Sequence, residues 1–178
     1  VAPVAWHRAE GIATEEVTRL QGDKVTMLKV YHPRYFMIPK IGRSLYGFFF
    51  YLGIIGKVRE IYREFKFDIV LSAWAYPDGF ASALIAKVLR KPLIINVLGS
   101  DVNLLTKYFL RRKMITYAFR RAKKIIAVSR DLKEKIIKLG IREEKIVVVS
   151  NGVDSDLFKP MDKEECRKKL SLPLDKKI

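Results

Sequence analysis

Residues 145–160, KIVVVSNGVDSDLFKP, place a strand signal directly before a turn signal. Residues 146–149 form a β-branched run without alternation, which is typical of a strand covered on both faces. Asn151-Gly152 follows at once and predicts a turn, because both residues tolerate positive φ. No second alternating strand follows, so the pattern favours a loop leaving the carboxyl end of a parallel strand over a hairpin. Ligands bind at that edge of open α/β sheets.

The rest of the chain alternates between strand and helix patterns. Apolar runs predict strands over 25–31, 67–73, 92–97 and 124–128. Apolar spacings of three or four residues predict helices over 43–64, 80–89 and 104–121. Segment 7–22 shows no periodicity and is predicted to be irregular. Alternation with short connections predicts a parallel sheet with right-handed crossovers, hence a Rossmann-like, doubly wound α/β domain.

Two further helices are predicted from their end signals. Asp131 and Glu134 form a capping box at the start of one helix, and Gly140 ends it. Asp162 and Glu165 cap a short basic helix near the end of the chain.

Composition limits the class of protein. The 178 residues suffice for one domain with a sizeable core, and the hydrophobic fraction of 49% is that of a globular protein. Lysine and arginine number 35 against 19 acidic residues, a net charge of +16. Such a surface attracts polyanions, which include nucleic acids, anionic membranes and phosphate-bearing ligands.

Few residues suit metal or disulfide chemistry. The single cysteine, Cys166, excludes an intramolecular disulfide, and His7 and His32 are too few for a zinc site. No signal peptide is recognisable, and the apolar run 45–55 is too short to span a bilayer alone. We therefore expect a cytoplasmic protein that can associate with a membrane surface.

Four loop motifs occur in order along the predicted carboxyl edge of the sheet. They are Trp74-Ala75-Tyr76-Pro77-Asp78-Gly79 after a strand beginning Phe67-Asp68, then Gly99-Ser100-Asp101, then Val128-Ser129, then Asn151-Gly152-Val153-Asp154 followed by Phe158 and Pro160. Any one of them is a weak signal. Together, over residues 67–160, they resemble the first domain of the GT-B glycosyltransferases, specifically the large retaining family four.

The resemblance implies a single domain equivalent to the first half of a GT-B enzyme, truncated at its N-terminal end. Residues 1–160 would form the Rossmann-like acceptor-binding domain, and residues 161–178 would begin a linker toward an absent nucleotide-sugar-binding domain. The family's glycine-rich loop would precede Val1. We therefore expect no cofactor on this domain alone, a nucleotide-diphosphate sugar as donor of the full enzyme, and no activity from the chain by itself.

The resemblance also assigns site residues, although it assigns no catalytic residue and no metal ligand. The expected acceptor-binding residues are Trp74, Tyr76, Asp78, Gly99, Ser100, Asp101 and Asn103. The expected residues of the interdomain cleft are Ser129, Arg130, Asn151 and Gly152. Leu98 stands where many family members carry a histidine before the glycine, and leucine can neither donate a hydrogen bond nor exchange a proton.

Structural explanations for these residues remain open. Asp78 and Asp101 can cap helices, Trp74 and Tyr76 can be packing residues, and Asn151-Gly152 can be a turn without a ligand.

The distribution of positive charge suggests a second function. Residues 107–145 carry fourteen lysines and arginines against four acidic residues. Together with the apolar run 45–55, this excess predicts peripheral contact with an anionic membrane and a sugar or lipid-linked acceptor. The alternative is a non-enzymatic α/β domain that binds nucleic acid or a membrane; we do not expect nucleic acid, because no recognition motif accompanies the charge.

Overall fold

The computed structural model describes residues 4–5, 14–21, 24–36 and 44–177. His7 lies outside the described residues. Within these residues, four strands precede the helix that begins at Tyr46: β1 (Val4–Ala5), β2 (Thr14–Gln21), β3 (Lys24–Tyr31) and β4 (Arg34–Tyr35). Strand β1 pairs in parallel with β4, while β2 and β3 form an antiparallel pair with Thr14 opposite Tyr31.

The prediction of an irregular segment over 7–22 is wrong for Thr14–Gln21. The sequence TEEVTRLQ has no regular alternation of apolar and polar residues. This strand is defined by backbone pairing along the whole length of β3. Such pairing depends on the partner strand and cannot be recognised from the sequence of one strand alone. The strand predicted over 25–31 is confirmed as β3.

The remaining elements alternate as predicted. The helices are α1 (Tyr46–Glu64), α2 (Phe80–Leu89), α3 (Ser100–Asn103), α4 (Phe109–Arg121), α5 (Arg130–Lys138) and α6 (Lys163–Lys169). The strands between them are β5 (Val70–Ala73), β6 (Leu93–Val97), β7 (Lys124–Ala127) and β8 (Ile146–Val148). These four strands form one parallel sheet in the order β5-β6-β7-β8.

The helix predicted over 104–121 is interrupted near its start. Leu105–Lys107 form a 3-10 turn, and Tyr108 adopts extended backbone angles, φ −92° and ψ 122°, before α4 begins. None of the helices in the described part of the chain combines the length and the apolar content needed to cross a bilayer.

One face of the sheet carries the core. Leu93, Ile95 and Val97 of β6 are buried together with Phe119 of α4 and Ile136 of α5. The alternate residues of the outer strands face the opposite way, and Leu71 of β5 and Val147 of β8 are 67% and 44% exposed. The expectation that residues 146–149 are covered on both faces is therefore wrong, because β8, like β5, is an edge of the described sheet.

The residues predicted to begin and end α5 are confirmed only in part. Ser129, not Asp131, caps α5, since its side chain accepts a hydrogen bond from the Leu132 N–H. Asp131 instead pairs with Lys135 on the exposed side of the helix. Gly140 follows α5 with φ 81°, which confirms it as the stop.

The final helix is capped as predicted, because the Asp162 side chain accepts a hydrogen bond from the Glu165 N–H. The predicted turn at Asn151-Gly152 is wrong, since neither residue has positive φ and residues 151–154 form no turn. The turn lies three residues later, where Asp154 Oδ1 accepts hydrogen bonds from the backbone N–H of Asp156 and Leu157.

Helix α1 approaches β4 closely at one glycine. A Cβ added at Gly53 would lie 2.8 Å from the Arg34 carbonyl oxygen and 2.8 Å from Tyr35 Cα, whereas one added at Gly56 would meet nothing within 4 Å. Both glycines lie inside the same helix, so they form a matched pair.

Gly53→Ala is expected to lower the free energy of unfolding by about 1–3 kcal/mol, because the backbone of β4 must move away. Gly56→Ala is expected to raise it by about 1 kcal/mol, the difference in helix propensity. Urea unfolding followed by circular dichroism measures both. An equal gain from the two substitutions would contradict the close packing of α1 on β4.

Candidate functional site

Four loops leave the carboxyl ends of the parallel strands and meet at one edge of the sheet. They begin at Trp74 after β5, Leu98 after β6, Val128 after β7 and Val149 after β8. Because all four strands run in the same direction, every loop starts on the same side. The first two loops hold all the residues predicted to bind the acceptor.

Asp101 joins these two loops through its carboxylate. The residue is completely buried. One oxygen, Oδ1, accepts hydrogen bonds from the backbone N–H of Gly99 at 2.8 Å and of Val102 at 3.2 Å. The other, Oδ2, accepts one from the Ala75 N–H of the neighbouring loop at 2.9 Å. The carboxylate is thus occupied by backbone donors, which makes it a positioning group for both loops.

Unusual backbone angles shape the same loops. Gly99 has φ 136°, a conformation that side-chain-bearing residues rarely adopt. Trp74 has φ 84°, which is uncommon for a residue other than glycine. Gly79 follows on the same loop, where an added Cβ would lie 2.9 Å from the Trp74 carbonyl oxygen. The Trp74 side chain remains 40% exposed, so its ring faces outward from a constrained backbone.

Tyr76 anchors the first loop to α1. Its side chain is buried, and its hydroxyl donates to the Ser44 carbonyl at 3.0 Å and accepts from the Gly47 N–H at 3.1 Å. Burial raises the pKa of the Tyr76 phenol, against the opposing effects of the Gly47 N–H and the Arg111 guanidinium. Its hydroxyl is therefore used in holding the loop against the first turn of α1.

Asp78 lies just before α2, beside a groove of about 470 Å³ between α1 and β5. The groove is mostly apolar, with Phe50 and Ile54 of α1 among its lining residues. Burial raises the pKa of the Asp78 carboxyl to about 6. No cation of the described residues forms an ion pair with it. The Asp78 carboxyl can thus change protonation near neutral pH.

The other predicted site residues are exposed. Ser100 and Asn103 lie on α3 with side chains open to solvent at the loop that Asp101 holds. Ser129 is exposed but is used as the cap of α5. Arg130 is exposed at the start of α5, and Asn151 and Gly152 are exposed after β8. The structure therefore brings Trp74, Ser100 and Asn103 to the edge as accessible groups.

Asn96 was missed by the sequence reasoning. It is the residue before the last of β6, and its amide oxygen is buried without a hydrogen-bond partner among the described residues. The sequence does contain a signal for it, because Asn96 is the single amide in the apolar strand Leu93–Val97. Buried polar groups normally have a hydrogen-bond partner, so an amide in such a strand indicates a special role.

The sheet, with its loops gathered at one edge, defines a Rossmann-like domain of the kind that forms the N-terminal half of GT-B glycosyltransferases. Residues 7–157 match the model of Glycosyltransferase Family 4, and the chain belongs to that family. The resemblance given by the four loop motifs is thereby confirmed.

Two curated relatives agree with this assignment. A Bacillus subtilis protein, named as a glycosyltransferase of teichuronic acid biosynthesis, is 31% identical over 128 residues, which is 68% of this chain and 31% of that protein. An uncharacterized glycosyltransferase of Methanocaldococcus jannaschii is 30% identical over 91 residues, 51% of this chain and 25% of that protein. The chain thus spans less than a third of the length of either relative.

The fold is similar to that of part of Anabaena HepE, solved in complex with UDP and glucose. The TM-score is 0.55 at 21% identity, over 79% of this chain and 37% of HepE. The prediction of a Rossmann-like α/β domain is confirmed by this likeness and by the parallel sheet.

Asp101→Asn is expected to lower the free energy of unfolding by about 2–4 kcal/mol. The asparagine NH₂ group would lie against a backbone N–H that donates to a carboxylate oxygen in the wild type, so that N–H would lose its acceptor. Amide hydrogen exchange should accelerate at Ala75 and Gly99. Asp156→Asn is the matched control: its residue is exposed, and it should change stability by less than about 0.5 kcal/mol. Unchanged exchange at Ala75 would contradict the clamp between the loops.

Asp78→Asn should alter the pH dependence of stability. The pKa of Asp78 is raised from 3.8 to about 6 in the folded state, so the native protein holds a proton that the unfolded chain releases. The Asp78 carboxyl therefore contributes fully to the free energy of unfolding below about pH 4, and this contribution is lost as pH rises through about 6.

The Asn variant should therefore be more stable than the wild type at pH 7.5 by up to about 3 kcal/mol, and equal to it near pH 3.5. Urea unfolding across a pH series measures the difference, with Asp156→Asn following the wild type throughout. A constant difference at every pH would exclude titration of Asp78 as its cause.

Proposed function

We propose that this chain is the acceptor-side domain of an enzyme that transfers a sugar from a nucleotide-diphosphate sugar to an acceptor hydroxyl. The observation that carries the proposal is the constrained loop 98–103, where Asp101 fixes the backbone and leaves Ser100 and Asn103 exposed. Membership of Glycosyltransferase Family 4 supports the reaction class. The names of both curated relatives, each a glycosyltransferase, agree with it.

The residues of the edge divide into two roles in this proposal. The Ser100 hydroxyl and the Asn103 amide can donate and accept hydrogen bonds, as recognition of sugar hydroxyls requires. The exposed ring of Trp74 supplies a flat apolar surface beside them. Asp101 and Tyr76 hold the loops in place and need no contact with the acceptor.

The donor belongs to a second domain in this proposal. Residues 161–178 would lead toward it, and Ser129, Arg130, Asn151 and Gly152 would face the cleft between the two domains. The chain covers 37% of the length of HepE, which leaves room for such a domain in that protein. The isolated chain would then bind no donor tightly and transfer no sugar.

The test uses the full-length protein that contains this chain. UDP-glucose, UDP-N-acetylglucosamine and GDP-mannose, each labelled in the sugar, are offered with a membrane lipid extract as acceptor. Transfer of label into product should occur with one donor. Ser100→Ala/Asn103→Ala should raise the acceptor KM roughly tenfold or more through two lost hydrogen bonds, while the donor KM stays unchanged.

Ser155→Ala is the control, because Ser155 is exposed in the turn beyond the sheet; it should leave both constants unchanged. Absence of transfer from every donor would contradict the reaction class. A double variant that raises the donor KM instead would contradict the acceptor assignment. Transfer by the isolated 178-residue chain would show that the donor site is not in a second domain.

A further inference from the structure

Residues 102–130 form a long stretch of one charge sign. They include nine lysines and arginines and no aspartate or glutamate: Lys107, Arg111, Arg112, Lys113, Arg120, Arg121, Lys123, Lys124 and Arg130. The acidic residues that flank it are the buried Asp101 and Asp131, which pairs with Lys135. From Lys107 to Lys124, therefore, the cations have no acidic neighbour along the chain to neutralise them.

Large apolar side chains are exposed within the same stretch. Four of them follow α3 and open α4: Leu104 and Tyr108 are each 55% exposed, Phe109 is 72% exposed and Leu110 is 40% exposed. We call residues 104–113 the apolar-basic segment. An exposed group of this kind is costly in water and usually marks an interaction site.

The cations of the apolar-basic segment lie among these side chains. The Lys113 ammonium lies 4.4 Å from the centre of the Phe109 ring, and the Arg111 guanidinium lies 4.3 Å from that of Tyr108. Lys107, Arg112 and Lys113 are exposed. No carboxylate of the described residues pairs with them. The segment thus presents rings, aliphatic groups and unpaired positive charge side by side.

The apolar-basic segment is adjacent to the candidate site. It begins at Leu104, directly after Asn103. Helix α4 then returns the chain to the start of β7, so its first residues lie toward the carboxyl edge of the sheet, where Ser100 and Asn103 are exposed. Whatever surface the segment contacts would also be close to that edge.

We propose that the apolar-basic segment is a docking surface for an anionic lipid bilayer. Phe109, Tyr108 and Leu104 enter the interfacial region, and Lys107, Arg112 and Lys113 bind headgroup phosphates. Rings and aliphatic groups gain by leaving water at a membrane interface, and each cation gains from the negative surface potential. The edge with Ser100 and Asn103 then faces the bilayer, and under the proposed function the acceptor is lipid-linked.

Other occupants fit less well. A second copy of the chain would bring the same uncompensated positive charge into contact, which is repulsive. Nucleic acid would satisfy the cations but not the aliphatic Leu104 and Leu110, which have no counterpart in phosphate or sugar recognition. An anionic bilayer accommodates both groups at once.

The experiment is flotation of the chain, residues 1–178, with vesicles of phosphatidylcholine alone or with phosphatidylglycerol added. The chain should float with the anionic vesicles and be released by high salt. Lys107→Gln/Arg112→Gln/Lys113→Gln should lower partitioning on the order of a hundredfold, about fivefold for each cation. Phe109→Ser should lower it about tenfold through lost apolar burial.

Two control variants test the location of the surface. Lys163→Gln/Lys168→Gln/Lys169→Gln removes the same charge from the exposed residues of α6, and Phe158→Ser removes a phenylalanine that is 70% exposed elsewhere. Both should bind vesicles nearly as the wild type does, and circular dichroism should show all variants folded.

Equal losses from the matched variants would overturn the proposal, because binding would then follow net charge or hydrophobicity rather than this segment. Equal recovery with neutral and anionic vesicles would also overturn it. Tight binding to a random-sequence DNA or RNA, lost in the segment variant and without vesicle binding, would assign the surface to nucleic acid instead.

Discussion

The arrangement of the carboxyl edge depends on the hydrogen bonds of one buried carboxylate. Asp101 accepts backbone N–H groups from its own loop and from Ala75 of the neighbouring loop. A buried carboxylate without such donors would cost several kcal/mol, and the loops without the carboxylate would leave buried N–H groups unpaired. Carboxylate and loops are therefore stable only together. Tyr76 extends this dependence to α1, since its hydroxyl holds the first turn of that helix.

The sheet places the buried core on one face and the loops of the candidate site at its carboxyl edge. Helices α2, α4 and α5 bury one face around Ile95 and Phe119, and this core fixes where each strand ends. The position of each loop is set by the end of the strand that precedes it. Residues 98–113 then carry two kinds of surface in succession: a polar loop at the edge, and a basic segment with exposed rings. The Asp101 carboxylate holds the first, and α4, which buries Ile115 and Phe119, carries the end of the second.

Local patterns predicted most of the fold. The bounds of α2 were predicted to the residue, because ten successive residues carry one clear pattern. The predictions failed where a structural feature depends on residues that are distant in the sequence. The strand Thr14–Gln21 depends on its partner β3, and the open faces of Leu71 and Val147 depend on which strands are edges. For the site, Asp101 could be named from its motif, but its bond to Ala75 spans 26 residues and leaves no trace in either segment.

The loop that Asp101 holds has a further property at Leu98, where many members of the family carry a histidine. Leu98 is 44% exposed, and the shape of its loop comes from the glycine at φ 136° and from the buried carboxylate. The side chain at position 98 is thus not needed to keep the loop folded. A change of side chain at position 98 therefore costs little stability, and the loop can present a different group to solvent on an unchanged backbone.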